Sequence, residues 1–266
     1  MASSLSQKVR SFNIFFCFGV FAFGAVLNGI LIYLVLTLCC WQRRRRVLCF
    51  RYVVRLSFRF FLKLCGVLRA FSVQGPDFTA LKDLKGAIFI ANHPSLVDYI
   101  ILSSRLPIST SVMVKAKLTH SFMRFVIYGL GYVTNECDPQ ELNAIIASGE
   151  NVLIFPEGTR TAPNGVIHFH RGFANLALET KALIFPLFIS SDVPGFLAQN
   201  FWSFRAPKKV PMFSLALGQP ISCKEALATN EPRGIWARRF THQVEELYQS
   251  HLKAQASTDG ENLSNL

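Results

Sequence analysis

Acidic residues are scarce: the 266-residue chain has 16 Asp and Glu against 28 Lys and Arg, a formal net charge of +12. That imbalance favours anionic partners, namely nucleic acid, an anionic membrane surface or an acidic substrate. No helix-turn-helix, zinc-finger or aromatic RNA-binding signature occurs, so nucleic acid is set aside. Paired cysteines are missing too. Of the seven, Cys17, Cys39, Cys40, Cys49 and Cys65 fall in or near the apolar N-terminal third, and Cys137 and Cys223 come later, singly. With no CxxC pair and no metal-ligand spacing, neither a disulfide framework nor a zinc site is implied, and a reducing compartment is the simpler assumption. No metal or cofactor is expected. Tandem repeats are absent, and the low-complexity content is one short arginine run. At 51% hydrophobic residues, the chain has room for one substantial domain plus a membrane element.

Charge disappears altogether from Ser11 to Trp41, a run dominated by Phe, Leu, Ile, Val, Ala and Gly. About 20 such residues cross a hydrocarbon core. A cleavable signal peptide fits less well, because the run exceeds the roughly 7–15 residues of a signal core and no small-residue cleavage site comes after it. Lys8 and Arg10 precede the run, and Arg43, Arg44, Arg45 and Arg46 succeed it. The positive-inside tendency then places the rest of the chain in the cytoplasm. Next, Arg51, Arg55, Arg59 and Lys63 recur every four residues among Val, Leu, Phe and Cys. On a helix this is a basic stripe beside an apolar face. It suits a helix lying in the membrane interface, and equally a core helix with one solvated edge.

After Gly75-Pro76 the pattern changes to short apolar runs. Strands are expected at 86–91, 111–114, 152–155, 183–189 and 212–217, with helices at 96–104, 122–128, 140–148 and 173–180. The alternation indicates an α/β layer architecture with functional loops at strand ends. The polar tail from Ala254 reads as disordered.

Two polar segments come directly after predicted strands. In Asn92-His93-Pro94-Ser95-Leu96-Val97-Asp98, the proline marks a helix start. His93 then stands at a strand-to-helix junction, and Asp98 in the first turns of the helix can fix the tautomer of its ring. In Phe155-Pro156-Glu157-Gly158-Thr159-Arg160, Gly158 permits a tight turn, Thr159 offers a hydroxyl and Arg160 a bidentate fork for phosphate. Taken singly, the first could be a chance pair and the second a loop salt bridge. His168, His170 and Arg171 could touch a phosphate or simply be solvated, and Arg233, Arg238 and Arg239 could meet an acidic protein or line a solvated helix face.

Taken together, NHPSLVD and FPEGTR strongly resemble the NHxxxxD and FPEGTR motifs of the glycerolipid acyltransferase family that includes lysophosphatidate acyltransferases. The resemblance runs from about Gly86 to Pro220, and Lys115-Ala116-Lys117-Leu118 is similar to a further family segment. It implies a mixed sheet flanked by helices, with N-terminal transmembrane or interfacial helices. It divides the chain into a membrane anchor helix (1–46), a basic amphipathic interfacial helix (47–75), an acyltransferase domain (76–253) and the tail (254–266). The implied reaction moves a fatty acyl group from an acyl carrier protein or coenzyme A thioester to a hydroxyl of a lysophospholipid in a phospholipid membrane. His93 is the implied base, oriented by Asp98. Asn92, Glu157, Gly158, Thr159, Arg160 and Lys115 are the implied substrate-binding residues. The cytoplasmic face of a bacterial inner membrane is the expected location.

Two departures from the family pattern bear on the acceptor. Asn135 stands where a GxxFxxR-type motif carries arginine, with Glu136 beside it, and Leu183 takes the first proline position of a VPxxP-like motif that Pro186 completes. A specialised acyltransferase with a different lipid acceptor fits these changes. A non-catalytic lipid-binding module on the same fold is a further reading, and a basic membrane-surface protein without an enzymatic site leaves both motifs unexplained.

Overall fold

The computed structural model describes residues 2–120, 124–162, 165–198, 206–223 and 231–264; the side chains of residues 2–5, 28 and 256–264 are left aside. Residues Phe122 and Met123 of one predicted helix lie outside this set. The described strands are β1 (Ser72–Gln74), β2 (Ile88–Ala91), β3 (Thr110–Val114), β4 (Val133–Thr134), β5 (Asn151–Ile154), β6 (Ile184–Ser191) and β7 (Met212–Leu217). They form one sheet in the order β1-β7-β6-β2-β5-β3-β4. Neighbours run parallel except β6 and β7.

Strands covered on both faces need apolar residues at successive positions, and the central ones have them. In β2, Phe89 and Ala91 face one apolar cluster and Ile88 and Ile90 the other. In β5, Leu153 faces the first cluster while Val152 and Ile154 face the second. The first face is covered by α1 (Ala2–Leu27), α3 (Arg43–Val67), α4 (Asp98–Ser103) and α5 (Arg124–Leu130). The second is covered by α6 (Pro139–Ala147), α7 (Gly172–Thr180) and α8 (Arg233–Ser264). This is the expected mixed sheet flanked by helices. Asp138 caps α6 by accepting from Gln140 N–H, with Pro139 in the first turn. Two-residue β4 and three-residue β1 are too short to register as periodic runs.

The N-terminal segment differs from a helix standing clear of the domain. Ser6–Cys39 is long and apolar enough to cross a membrane, with a mean hydropathy of 2.2. A π-helical turn at Asn28–Ile32 joins α1 to α2 (Tyr33–Cys39). Near its start, Arg10 donates to Pro207 O at 2.7 Å and Lys208 O at 2.9 Å, and Asn13 donates to Leu68 O at 2.8 Å. Ile14 and Cys17 are fully packed. Near its far end, Tyr33 meets Phe50 and Phe125, and Gly129 gives it room: a Cβ there would lie 2.9 Å from the Tyr33 ring. Both ends therefore rest on one folded unit. Only the outer side, with Phe12, Phe15, Phe16, Phe23, Leu34 and Leu38, is exposed.

The basic stripe on α3 also turns inward at one position. Arg51 is buried and donates to Leu130 O (2.7 Å), Ile108 O (3.2 Å), Gly131 O (3.3 Å) and the Glu150 carboxylate (3.0 Å). A guanidinium can satisfy four acceptors from three loops where an ammonium cannot. At the other terminus, helix α8 runs to Ser264 through most of the segment expected as a tail. Trp236, Phe240, Val244 and Tyr248 anchor its first half, and no proline interrupts its second.

Arg51→Met should cost about 2–4 kcal/mol, since it strands Glu150 and three carbonyls, whereas Arg45→Gln on the exposed side should stay within about 0.5 kcal/mol. Unfolding midpoints in detergent measure both. Equal losses would deny Arg51 its role as the fastening of α3.

Candidate active site

Strands β5, β2 and β6 lie side by side and parallel, so their carboxyl ends open onto one edge of the sheet. That edge is where α/β sheets place ligands. His93 comes after β2 by one intervening residue, Phe155 continues β5, and 193–198 lie just past β6.

The helix expected from Pro94 begins at Asp98, after a turn over Ser95–Val97. Ser95 and Asp98 hold this turn together. The Ser95 hydroxyl accepts from Val97 N–H at 3.3 Å, and the Asp98 carboxylate reaches back to Ser95 N–H at 2.7 Å. The same carboxylate accepts a short bond from the Ser95 hydroxyl and faces His93 Nδ1 at 2.8 Å. Asp98 is wholly buried, while the His93 side chain is 24% exposed. Burial pushes the Asp98 carboxyl above its ordinary value, and the bonds from His93 and Ser95 pull it back. With Asp98 as acceptor, His93 carries its proton on Nδ1 and presents the lone pair of Nε2. No described residue bonds to that nitrogen. The ring lies against Phe155, centroids 4.6 Å apart.

The FPEGTR loop is tied to this turn from below. Glu157 is buried and accepts from His93 N–H at 2.7 Å and from the Thr161 hydroxyl at 2.9 Å. Thr161 N–H donates to His93 O at 2.7 Å. Gly158 has φ +63°, and a Cβ there would press on His170 at 3.2 Å. The loop after β6 closes the arrangement from above, for Leu96 N–H donates to Leu197 O and Arg160 to Ala198 O.

Of the expected site residues, His93 and Asp98 meet directly, and Gly158, Thr159 and Arg160 share the loop beside them. Thr159 is exposed. Lys115 lies just beyond the carboxyl end of β3, exposed on the same sheet edge. The Asn92 and Glu157 side chains are buried and bonded within the protein. The Asn92 side chain bonds to Ile189 O (2.8 Å) and Ile189 N–H (2.9 Å), bridging β2 to β6 where their ladder ends. A buried amide or carboxylate paired in this way shapes the site. Asn135 accepts from Ala116 N–H at 2.8 Å and so caps the turn after Lys115. Sequence reading also passed over Ser95, Thr161 and Tyr248. Ser95 has a signal in its spacing to Asp98. The Tyr248 hydroxyl donates to Ile90 O at 2.8 Å from a helix far along the chain, which no local pattern reveals. His168 pairs with Glu245 while largely exposed.

A family model described as Acyltransferase matches residues 72–190, the stretch that holds both motifs and the central strands. Over that stretch the chain is similar to acyltransferases. The chain is 25% identical over 157 residues to a 1-acyl-sn-glycerol-3-phosphate acyltransferase of Cocos nucifera, covering 54% of this chain and 48% of the relative. A Limnanthes alba protein of the same description is 25% identical over 189 residues, 67% of this chain and 64% of the relative. The chain thus spans about half to just under two thirds of the length of these curated relatives. The crystal structure of the 1-acyl-sn-glycerophosphate (LPA) acyltransferase PlsC from Thermotoga maritima superposes with a TM-score of 0.60 over 95% of this chain and 97% of that one. At 16% identity that likeness is one of fold.

Burial holds the Glu157 carboxyl above its ordinary value, against the pull of His93 N–H and the Thr161 hydroxyl. The folded chain then binds this proton more tightly than the unfolded chain. Its stabilising contribution is complete below the ordinary carboxylate range and is lost as pH rises toward the folded value. Glu157→Gln should therefore gain on the wild type in unfolding midpoint as pH rises above the ordinary carboxylate range. A difference independent of pH would mean that Glu157 titrates normally.

Proposed function

We propose that this chain is a membrane-associated O-acyltransferase of the 1-acyl-sn-glycerol-3-phosphate type. It takes a fatty acyl group from a coenzyme A or acyl carrier protein thioester and transfers it to a hydroxyl of a lysophospholipid. The observation that carries the reading is the His93–Asp98 pair, 2.8 Å apart, with the carboxylate buried and the imidazole partly exposed.

In this mechanism His93 Nε2 removes the acceptor hydroxyl proton as that oxygen attacks the thioester carbonyl. The tetrahedral intermediate collapses with cleavage of the carbon–sulfur bond, and the imidazolium returns the proton to the departing thiolate. Asp98 stabilises the imidazolium and holds its tautomer. A placed base contributes roughly 10²–10⁴-fold, so orientation and oxyanion stabilisation supply the rest. Lys115 or a nearby backbone N–H is the oxyanion donor. Thr159 and Arg160 receive the acceptor headgroup, with Arg160 on its phosphate. Asn92, Glu157 and Gly158 keep the two loops in register.

The exposed apolar side of α1 and α2 enters one leaflet from the cytoplasmic side, with Arg43–Arg46 at anionic headgroups. Contacts at both ends of Ser6–Cys39 with the same domain favour this in-plane placement over a crossing helix. The Asn135 cap supports a second reading of the acceptor: the position occupied by arginine in the family pattern is committed here to a turn, which suits a lipid other than lysophosphatidate.

His93→Ala should lower acyl transfer by at least about 10²–10⁴-fold while leaving vesicle flotation unchanged. Full transfer by this variant would defeat the assignment. Replacing Phe12, Phe16 and Phe23 together by Ser should reverse that pattern, releasing the protein from vesicles. In lipid nanodiscs, labelled acyl donor offered with a panel of acceptors decides between the acceptor readings. A strong preference for lysophosphatidate over every alternative removes the specialised one.

A further inference from the structure

Two of the seven cysteines stand where the apolar and the basic parts of the N-terminal segment meet. Cys39 is the last residue of α2. Cys40 leaves the helix with extended backbone, its N–H closing the final turn on Leu36 O at 2.9 Å. Leu31, Val35 and Cys39 recur every four residues and are all exposed, so the Cys39 thiol continues an open apolar row along one side of the helix. Trp41, beside it, is fully exposed and is of the residue type that settles at the boundary between acyl chains and headgroups. Arg43, Arg44 and Arg45 come next, all exposed.

The remaining cysteines are placed differently. Cys17 and Cys65 are buried in the first apolar cluster and Cys223 in the second. Cys137 bonds to the Glu141 carboxylate at 3.3 Å, and burial together with that bond pushes its thiol up to about 11. Cys49 is exposed but lies past the arginines, within α3.

An acyl thioester of coenzyme A has the matching order of parts: an apolar chain, the thioester, then a headgroup bearing several phosphates. Laid along this segment, its chain enters the leaflet beside Leu31 and Val35 and its phosphates meet the exposed guanidiniums. The thioester carbon then falls at the thiol pair. Cysteine is the most nucleophilic side chain for such a carbon.

We propose that Cys39, with Cys40 as a secondary acceptor, is an S-acylation site that takes its acyl group by exchange with acyl-coenzyme A in the same leaflet. The Cys39 sulfur gives up its proton and attacks the thioester carbonyl. A new carbon–sulfur bond replaces the old one, and the departing coenzyme A thiolate takes up the proton. The attached chain gives α2 a second anchor beside its exposed apolar face. The inference rests on the in-plane placement of α1 and α2 proposed above and is independent of the His93 reaction.

The test uses the full chain bound to phosphatidylcholine vesicles and incubated with radiolabelled palmitoyl-coenzyme A. The protein should acquire label that neutral hydroxylamine removes, since that reagent cleaves thioesters and spares oxygen esters. Serine is nearly isosteric at these positions and leaves the fold intact. Cys39→Ser should lose most of the label and the double variant Cys39→Ser/Cys40→Ser all of it, whereas Cys49→Ser and His93→Ala keep it. Label that persists in the double variant overturns the proposal, as does a wild type that floats with the vesicles yet gains no hydroxylamine-sensitive label. Loss of label in His93→Ala would route the acyl group through the His93 site and overturn direct exchange. Failure of the wild type to float would instead defeat the in-plane placement, and the proposal with it.

Discussion

A carboxylate with no solvent exposure is the constraint around which this site is built. Asp98 gives up hydration entirely, and an unpaired charge in that position is not tolerated. The compensation comes from three local donors: the Ser95 hydroxyl, the Ser95 N–H and the His93 ring. Because all three lie within five residues of Asp98, the turn that satisfies the charge is the same turn that aims the imidazole. Chemistry and local stability are thereby one arrangement, and a change in either disturbs both.

That turn needs a rigid platform, and the seam between β2 and β6 provides it. The two strands pair in register from Ile88–Ile184 to Ala91–Leu187. Beyond that point side chains replace the backbone ladder. Asn92 bridges to Ile189, and the Tyr248 hydroxyl is shared between Ile90 O and Leu187. The strands can then diverge at the site without leaving buried peptide groups unpaired. The opening accommodates the loops of β5 and β6, which meet across His93 through Thr161, Leu96 and Arg160.

Much of this was legible in the sequence because the central strands need apolar residues on both faces, and β2, β3, β5, β6 and β7 are accordingly mostly apolar. The two motifs could be placed because each comes directly after such a run. The inward use of Asn92 and Glu157 was not legible: a polar residue in a motif has the same letter whether it meets a ligand or a neighbouring loop. The inward use of Arg51 was not legible for a related reason. Periodicity assigns Arg51 to a face, but only the fold shows that the α5 end and the loops before β3 and β5 bring carbonyls to that face. Likewise, hydropathy measures how apolar Ser6–Cys39 is and cannot tell that its two ends dock on one domain.

The contacts of α1 span an unusual length of chain. Gln7, Arg10 and Ser11 bond to residues 206–208, separations of 195 to 199 positions. At about 5–20 residues per second, the ribosome delivers those partners roughly 10–40 s after the helix. For that interval the first helix has α3 to pack against but lacks the partners that fasten its amino end. The pairing of α1 with α3 is therefore complete in the chain well before the domain that both cover, and the amino end of α1 is the last part of it to be fastened.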